Sequence, residues 1–179
     1  FSSTKNFEFQ SMEGVLTYFD LLLVPIYLVI ILIVCSRIKS KKIAQFPEYK
    51  YFTKGVLFKL LGVSAFMSIY LFYYGGGDTI NYYKGARAVG NLLFEDFDKG
   101  FAVLFNTSSN YNHLSSFNYN TGYPSYYMWR DPSTFSVSRY SALFYLLGAK
   151  SFIITSFIVC CFSFIGLWKF YRLLNILYP

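Results

Sequence analysis

Residues 15 to 35 read VLTYFDLLLVPIYLVIILIVC, an apolar run longer than the helices of most soluble domains. As an α-helix rising about 1.5 Å per residue, the run is long enough to cross about 30 Å of hydrocarbon. Asp20 lies near one end of it, from where a side chain reaches the headgroups. Residues 56 to 74 and 151 to 168 form two more such runs, and Lys59 lies near one end of the first of them. The sequence therefore predicts three transmembrane helices.

The composition is that of a protein dissolved in a bilayer. Of 179 residues, 55% are hydrophobic and 23% aromatic, and only 14% are charged, which is too apolar for an ordinary soluble domain of this size. We predict an all-α fold, a polytopic transmembrane helical bundle of about three spans. A large extracytoplasmic loop with amphipathic juxtamembrane helices completes the predicted architecture.

This pattern divides the chain into seven segments. They are an external lead-in at 1–14, a transmembrane helix at 15–36, a basic cytoplasmic hairpin at 37–54, a second transmembrane helix at 55–74, the extracytoplasmic loop at 75–150, a third transmembrane helix at 151–172 and a cytoplasmic end at 173–179. No cleavable signal pattern precedes the first span, so we expect that span to be retained. Because the chain begins with Phe and ends just after a span, we expect it to be a fragment of a longer protein.

The charges are divided unequally between the two faces of the membrane. The segment from Arg37 to Lys59, together with Lys169 and Arg172, holds nine Lys or Arg and one Glu, a net charge of +8. The rest of the chain holds seven cations and eight carboxylates, a net of −1. By the positive-inside rule the basic side is cytoplasmic, which places the N-terminus outside. The alternative is a basic patch for acidic partners, but since topology explains the excess charge we predict membrane lipid, and not nucleic acid, as a partner.

Several classes of site lack the residues they need. The three cysteines, Cys35, Cys160 and Cys161, fall inside or at the end of predicted spans, so no external disulfide framework is expected. His113 is the single histidine, and without a CxxC pair there is no zinc site. No phosphate-binding glycine loop, GxSxG or HExxH motif occurs.

One stretch combines residues that are suited to chemistry. The second span runs directly into GGGDTINYYKGAR, residues 75 to 87, where three glycines allow a tight turn and Asp78 is the first ionisable group after the membrane. A partly desolvated carboxylate at this depth is suited to act as a general base or to bind a cation. Nothing else in the sequence supports a divalent cation at Asp78, so we predict no cofactor.

The residues after Asp78 have helical spacing from 79 to 94. Tyr82 follows Asp78 by one helical turn and is placed to hydrogen-bond it or to line a pocket, and Arg87 is placed to meet a phosphate. The alternative is structural: Asp78 or Thr79 caps the helix, and the glycines form a simple turn.

A second group of polar residues follows in the same loop. Residues 95 to 134 are expected to be loop-like, and YYMWRDPS within them contains Arg130 beside Asp131, which is either a binding cluster or a turn before proline. Residues 138 to 148, SRYSALFYLLG, return to a helical apolar pattern headed by Arg139. We expect this element to lie in the interface or to extend the third span.

These features together resemble the N-terminal part of GT-C glycosyltransferases. In that superfamily a polytopic enzyme takes a sugar from a polyprenyl-phosphate donor, and a catalytic acid lies in the first external loop. The resemblance implies that Asp78 is the catalytic base, that Tyr82, Arg87, Arg130 and Arg139 bind substrate, and that the enzyme inverts the sugar carbon. The chain is also similar to uncharacterised Bacteroidetes-type membrane proteins, which implies a bacterial inner membrane.

Two other functions are consistent with the sequence. A small accessory subunit of a larger membrane complex would explain the short chain, and Gly62, Ser64, Ala65 and Ser68 would give the second span a close-packing face. A transporter or channel is disfavoured, because we expect no ionisable group at mid-membrane and no matched pair of broken helices.

Overall fold

The computed structural model describes residues 15–105 and 110–178, so the predicted lead-in at 1–14 lies outside the described residues. The regular structure described is helical without strands, which confirms the predicted all-α class. The six α-helices are α1 (Tyr18–Lys42), α2 (Phe52–Ser68), α3 (Asp78–Glu95), α4 (Phe97–Phe105), α5 (Pro132–Leu147) and α6 (Phe152–Leu177). Short 3₁₀ helices occupy Pro47–Tyr51, Asn110–Ser116 and Tyr126–Trp129.

In the part of the chain that the structure describes, three helical segments are long and apolar enough to cross a membrane, which confirms the predicted three spans. They are α1, with 25 residues, the continuous segment Pro47–Tyr73, with 27, and α6, with 26. Within α1 only Asp20 and Cys35 are buried, so most of its surface is left to lipid. We call the side of the membrane that carries α3, α4 and α5 the loop face, and the side that carries the α1–α2 connection the basic face.

Aromatic side chains join the second and third spans at the basic face. The Trp168 ring packs edge-on against Phe52 and Tyr49, with centroids 5.1 and 5.3 Å apart. Beside them the Arg172 guanidinium donates to the Glu48 carboxylate at 2.9 Å. Aromatic residues that combine apolar rings with polar edges are typical of the membrane–water boundary, so this aromatic cluster marks the level of the basic face.

At the loop face, α3 and α5 pack closely because α3 has glycines where α5 has side chains. A Cβ on Gly85 would lie 2.5 Å from Ser138 Oγ, and one on Gly90 would lie 2.6 Å from Tyr145 Cδ1. The buried residues of α5 include Phe135 as well as Ser138 and Tyr145, at helical spacing. The predicted interfacial helix is therefore longer than expected, and one of its faces is covered by α3.

The region expected to be loop-like contains a helix. Phe97, Phe101 and Phe105 form a ladder of rings along α4, with successive centroids 5.8 and 4.6 Å apart. Asp96 accepts from the Lys99 backbone N–H at 3.1 Å and fixes the start of the helix. At Gly100 the helix lies against Leu93 of α3, and a Cβ there would be 2.7 Å from the Leu93 Cα.

The close packing at Gly85 leads to a stability prediction. Gly85→Ala should lower the free energy of unfolding by about 1–3 kcal/mol, because the added methyl overlaps Ser138 on a neighbouring helix. Gly62→Ala is the matched control: nothing lies within 4 Å of a Cβ at that position, so the change should be neutral or slightly stabilising. Thermal melts in detergent measure both, and equal melting temperatures for the two variants would contradict the packing described.

The charge asymmetry leads to a topological prediction. Tyr119 is 96% exposed at the loop face, and Ser40 is exposed near the basic end of α1. With the three native cysteines replaced by alanine, Tyr119→Cys should react with a membrane-impermeant maleimide added to intact cells, and Ser40→Cys should react only after permeabilisation. The opposite labelling pattern would show that the predicted orientation in the membrane is wrong.

Candidate functional site at the loop face

The chain leaves the second span through an irregular turn that requires glycine. A π-helical turn, Ile69–Tyr73, ends the span, and Gly75 and Gly77 then adopt φ values of +62° and +122°. A Cβ on Gly77 would also lie 2.7 Å from the Tyr70 ring. The glycines are thus explained by backbone conformation and by contact with Tyr70.

Asp78 is the first residue of α3, and its side chain is exposed at the loop face. The N-cap position is occupied by Gly77, and no side-chain hydrogen bond caps the helix. The alternative that Asp78 or Thr79 caps α3 is therefore wrong, because both residues already lie inside the helix. The protein itself does not bury Asp78, so the predicted partial desolvation does not come from neighbouring side chains. Its carboxylate is left at the start of the helix, where the N-terminal dipole favours a negative charge.

A tyrosine that the sequence did not single out lies beside Asp78. Burial raises the pKa of Tyr127, and the neighbouring Asp78 charge and Tyr82 add to this rise, while a hydrogen bond with Asn81 opposes it. Ser125, two residues earlier, donates to Asn81 Oδ1 at 3.4 Å. The first turn of α3 and the segment around Tyr127 therefore form one surface with a carboxylate and two phenols.

The two exposed arginines of the prediction have different surroundings. Arg130 is three residues from Tyr127, donates to the Tyr126 hydroxyl at 3.0 Å and stacks on that ring at 4.9 Å. Arg87 lies farther along α3, where its charge acts on Tyr83 and Tyr145. Arg130 therefore lies in the same segment as Tyr127 of the Asp78 surface. Arg87 lies instead at the contact between α3 and α5.

Asp131, beside Arg130, has a structural role. Its carboxylate accepts from the backbone N–H and the hydroxyl of Ser133 and from the Thr134 hydroxyl, which caps α5. These hydrogen bonds lower the pKa of Asp131. For Asp131, the interpretation as a turn before proline agrees with the structure.

Arg139, which the resemblance implies binds substrate, is buried within the protein. It is 6% exposed, its guanidinium lies 5.0 Å from the Phe135 ring, and burial lowers its pKa. It lines a cavity of about 260 Å³ with Ser133, Ser136 and Tyr140. A second, larger cavity begins beside Asp78, at Thr79 and Tyr82, and Arg139 does not line it. Arg139 is therefore not part of the Asp78 surface.

That larger cavity is an apolar groove of about 780 Å³ between the second and third spans, and it was not predicted from the sequence. Thr79 and Tyr82 border its loop end, and Gly62 and Val159 line its middle. Lys59 projects into it and donates to Ser163 Oγ of α6 at 2.5 Å. The groove runs from the Asp78 surface into the membrane-spanning part of the protein.

Comparison with protein-family models, curated proteins and solved structures finds no match. Within residues 15–105 and 110–178, no three His, Cys, Asp or Glu side chains come together as a metal site would require. Any function assigned to the loop face therefore rests on its own residues.

Burial of His113 makes the loop face sensitive to acid. Burial, and secondarily the positive charge of Arg139, lowers the pKa of His113 below its usual 6.5. The unfolded chain therefore binds a proton more readily than the folded protein, and stability that is constant above about pH 6.5 should fall as the pH drops below it. Thermal melts of the wild type and of His113→Gln between pH 7.5 and 5.5 measure this fall in stability, and the variant should lose less stability than the wild type. Identical losses of stability in the two proteins would show that His113 is not the cause of the acid sensitivity.

Proposed function

We propose that this protein is a membrane-embedded glycosyltransferase of GT-C type, or the part of one that carries the catalytic acid, and that it uses a lipid-phosphate sugar donor at the extracytoplasmic face of a bacterial inner membrane. The observation that carries the proposal is the position of Asp78. It is an exposed carboxylate in the first turn of α3, where the chain leaves the membrane.

The depth of Asp78 suits a donor anchored in lipid. A polyprenyl phosphate keeps its tail in the bilayer and its phosphate at the headgroup level, so the bond to the sugar lies just above the membrane surface. Asp78 follows the apolar span Pro47–Tyr73 by only five residues. The acid and the bond to be broken therefore share one level, and an acceptor hydroxyl can approach from the aqueous side.

Each residue of the surface has a distinct role in this proposal. Asp78 accepts the proton of the acceptor hydroxyl while the oxygen of that hydroxyl attacks the anomeric carbon, and the bond from that carbon to the phosphate oxygen breaks. Tyr82 and Tyr127 border the position of the sugar, and Arg130 offers its guanidinium to the phosphate. Arg87 and Arg139 are left with contacts inside the α3–α5 region.

The second candidate is a non-enzymatic accessory subunit of a membrane complex. The specific observation in its favour is the open groove between the second and third spans, in which Gly62 has no neighbour within 4 Å of a Cβ. Small residues on an open face allow close approach of another helix. This function makes no use of the Asp78 carboxylate.

Asp78→Asn separates the two candidates. Since the side chain caps nothing and Asn has the same size, folding should be unchanged, whereas loss of a general base should lower the rate by about 100-fold or more. The assay is transfer of a tritiated hexose from a polyprenyl-phosphate donor to lipid or protein acceptors in liposomes, with a thermal melt alongside.

Asp98→Asn is the matched control, because Asp98 is an exposed carboxylate in the first turn of α4. It should retain the activity of the wild type. Full activity in the Asp78 variant would remove the proposed base and would favour the accessory subunit.

A further inference from the structure

We propose that the groove between the second and third spans is the docking site for a transmembrane helix of a partner protein, and that this helix places a Glu or Asp beside Lys59. Asp78 takes no part in this contact. The proposal rests on three observations: the depth of Lys59, the absence of a counter-charge and the shape of the groove.

Lys59 lies well inside the membrane-spanning part of the protein. It follows Phe52 of the aromatic cluster by seven residues, about 10 Å along the helix. The hydroxyl that it binds, Ser163, precedes Trp168 by five residues, about 7 Å. The ammonium thus points across to α6 at a level deeper in the spans than the aromatic cluster. From the sequence we had expected Lys59 near the end of its span, within reach of the headgroups.

No carboxylate of the described chain neutralises this ammonium. The two ion pairs within residues 15–105 and 110–178 join Lys99 to Asp96 and Arg172 to Glu48. Lys59 has the Ser163 hydroxyl, which itself donates to the Cys160 carbonyl. An ammonium in an apolar environment is costly unless an opposite charge accompanies it, and ionisable residues inside spans are therefore usually paired.

The groove has the features of a helix-packing surface. It is lined mostly by apolar side chains, and Gly62 leaves its centre open for close approach. Of the small residues predicted to give the second span a close-packing face, Gly62 lines the groove, whereas Ser64, Ala65 and Ser68 do not. Among the described residues that line the groove, Lys59 is the one charged side chain.

Charge and depth favour a helix over a lipid as the occupant. The phosphate of a phospholipid lies at the headgroup level, near the aromatic cluster, and its chains carry no charge deeper in the bilayer. A carboxylate about two turns inside a transmembrane helix reaches the level of Ser163. Among the described residues, the spans of a second copy carry carboxylates only at their ends: Asp20 at the loop end of α1, and Glu48, paired with Arg172, at the basic end of the second span.

The test uses model helices in phosphatidylcholine liposomes. Two synthetic Leu/Ala helices of about 22 residues carry either Glu or Gln about two turns from one end. Energy transfer from a fluorophore at Tyr119→Cys, in a variant without native cysteines, reports their association with the protein. The Glu helix should bind about tenfold more tightly than the Gln helix.

Variants at Lys59 assign the preference to the ammonium. Lys59→Met should abolish the preference for Glu, and Lys59→Arg should retain it. Lys54→Met, which removes an exposed charge from the first turns of α2, should leave it intact. Circular dichroism confirms that each variant is folded. If Lys59→Met does not fold, the comparison of Glu with Gln on the wild type and on Lys59→Arg decides the question.

Two results would overturn the proposal. One is equal binding of the Glu and Gln helices to the wild type. The other is loss of bound phosphatidylglycerol from Lys59→Met, measured by mass spectrometry of the purified protein, with no difference between the helices. The second result would identify the groove as a lipid site.

Discussion

The contact between α3 and α5 is the constraint on which the loop face depends. Gly85 and Gly90 let the two helices approach until Ser138 and Tyr145 touch the α3 backbone region. The contact continues to the third span, because the Tyr83 hydroxyl donates to the Lys150 carbonyl at 2.6 Å. Without these contacts the start of α3, and Asp78 with it, would have no fixed position relative to α6.

The turn between α5 and α6 shows that this contact also stabilises an unfavourable backbone. Ala149 and Lys150 adopt φ values of 51° and 65°, a region that costs free energy for residues with a side chain. The Tyr83 hydrogen bond ends on this turn, and the Lys150 ammonium lies 4.5 Å from the Phe94 ring of α3. Helix α3 thus stabilises the point at which the chain re-enters the membrane.

Sequence predicted those parts of the fold that depend on local pattern. Long apolar runs indicated the three spans, and helical spacing after Asp78 indicated α3 almost to its observed ends. It missed α4 because Asn, Ser and Gly nearby resemble a loop, and it could not show that Tyr127 lies beside Asp78, since 49 residues separate them. The burial of Arg139 was not predicted either, because its position at the start of an apolar pattern does not show that other elements cover it.

Asp78 and Lys59 belong to consecutive helices, and their surroundings determine what each can do. The Asp78 carboxylate is exposed, so a substrate can reach it from the loop face. The Lys59 ammonium faces an apolar groove, where solvation by a single hydroxyl leaves a large part of its charge uncompensated. An exposed carboxylate is accessible to a substrate, whereas a charge in hydrocarbon is stabilised chiefly by a partner. This difference is why we propose catalysis at the loop face and helix docking in the groove.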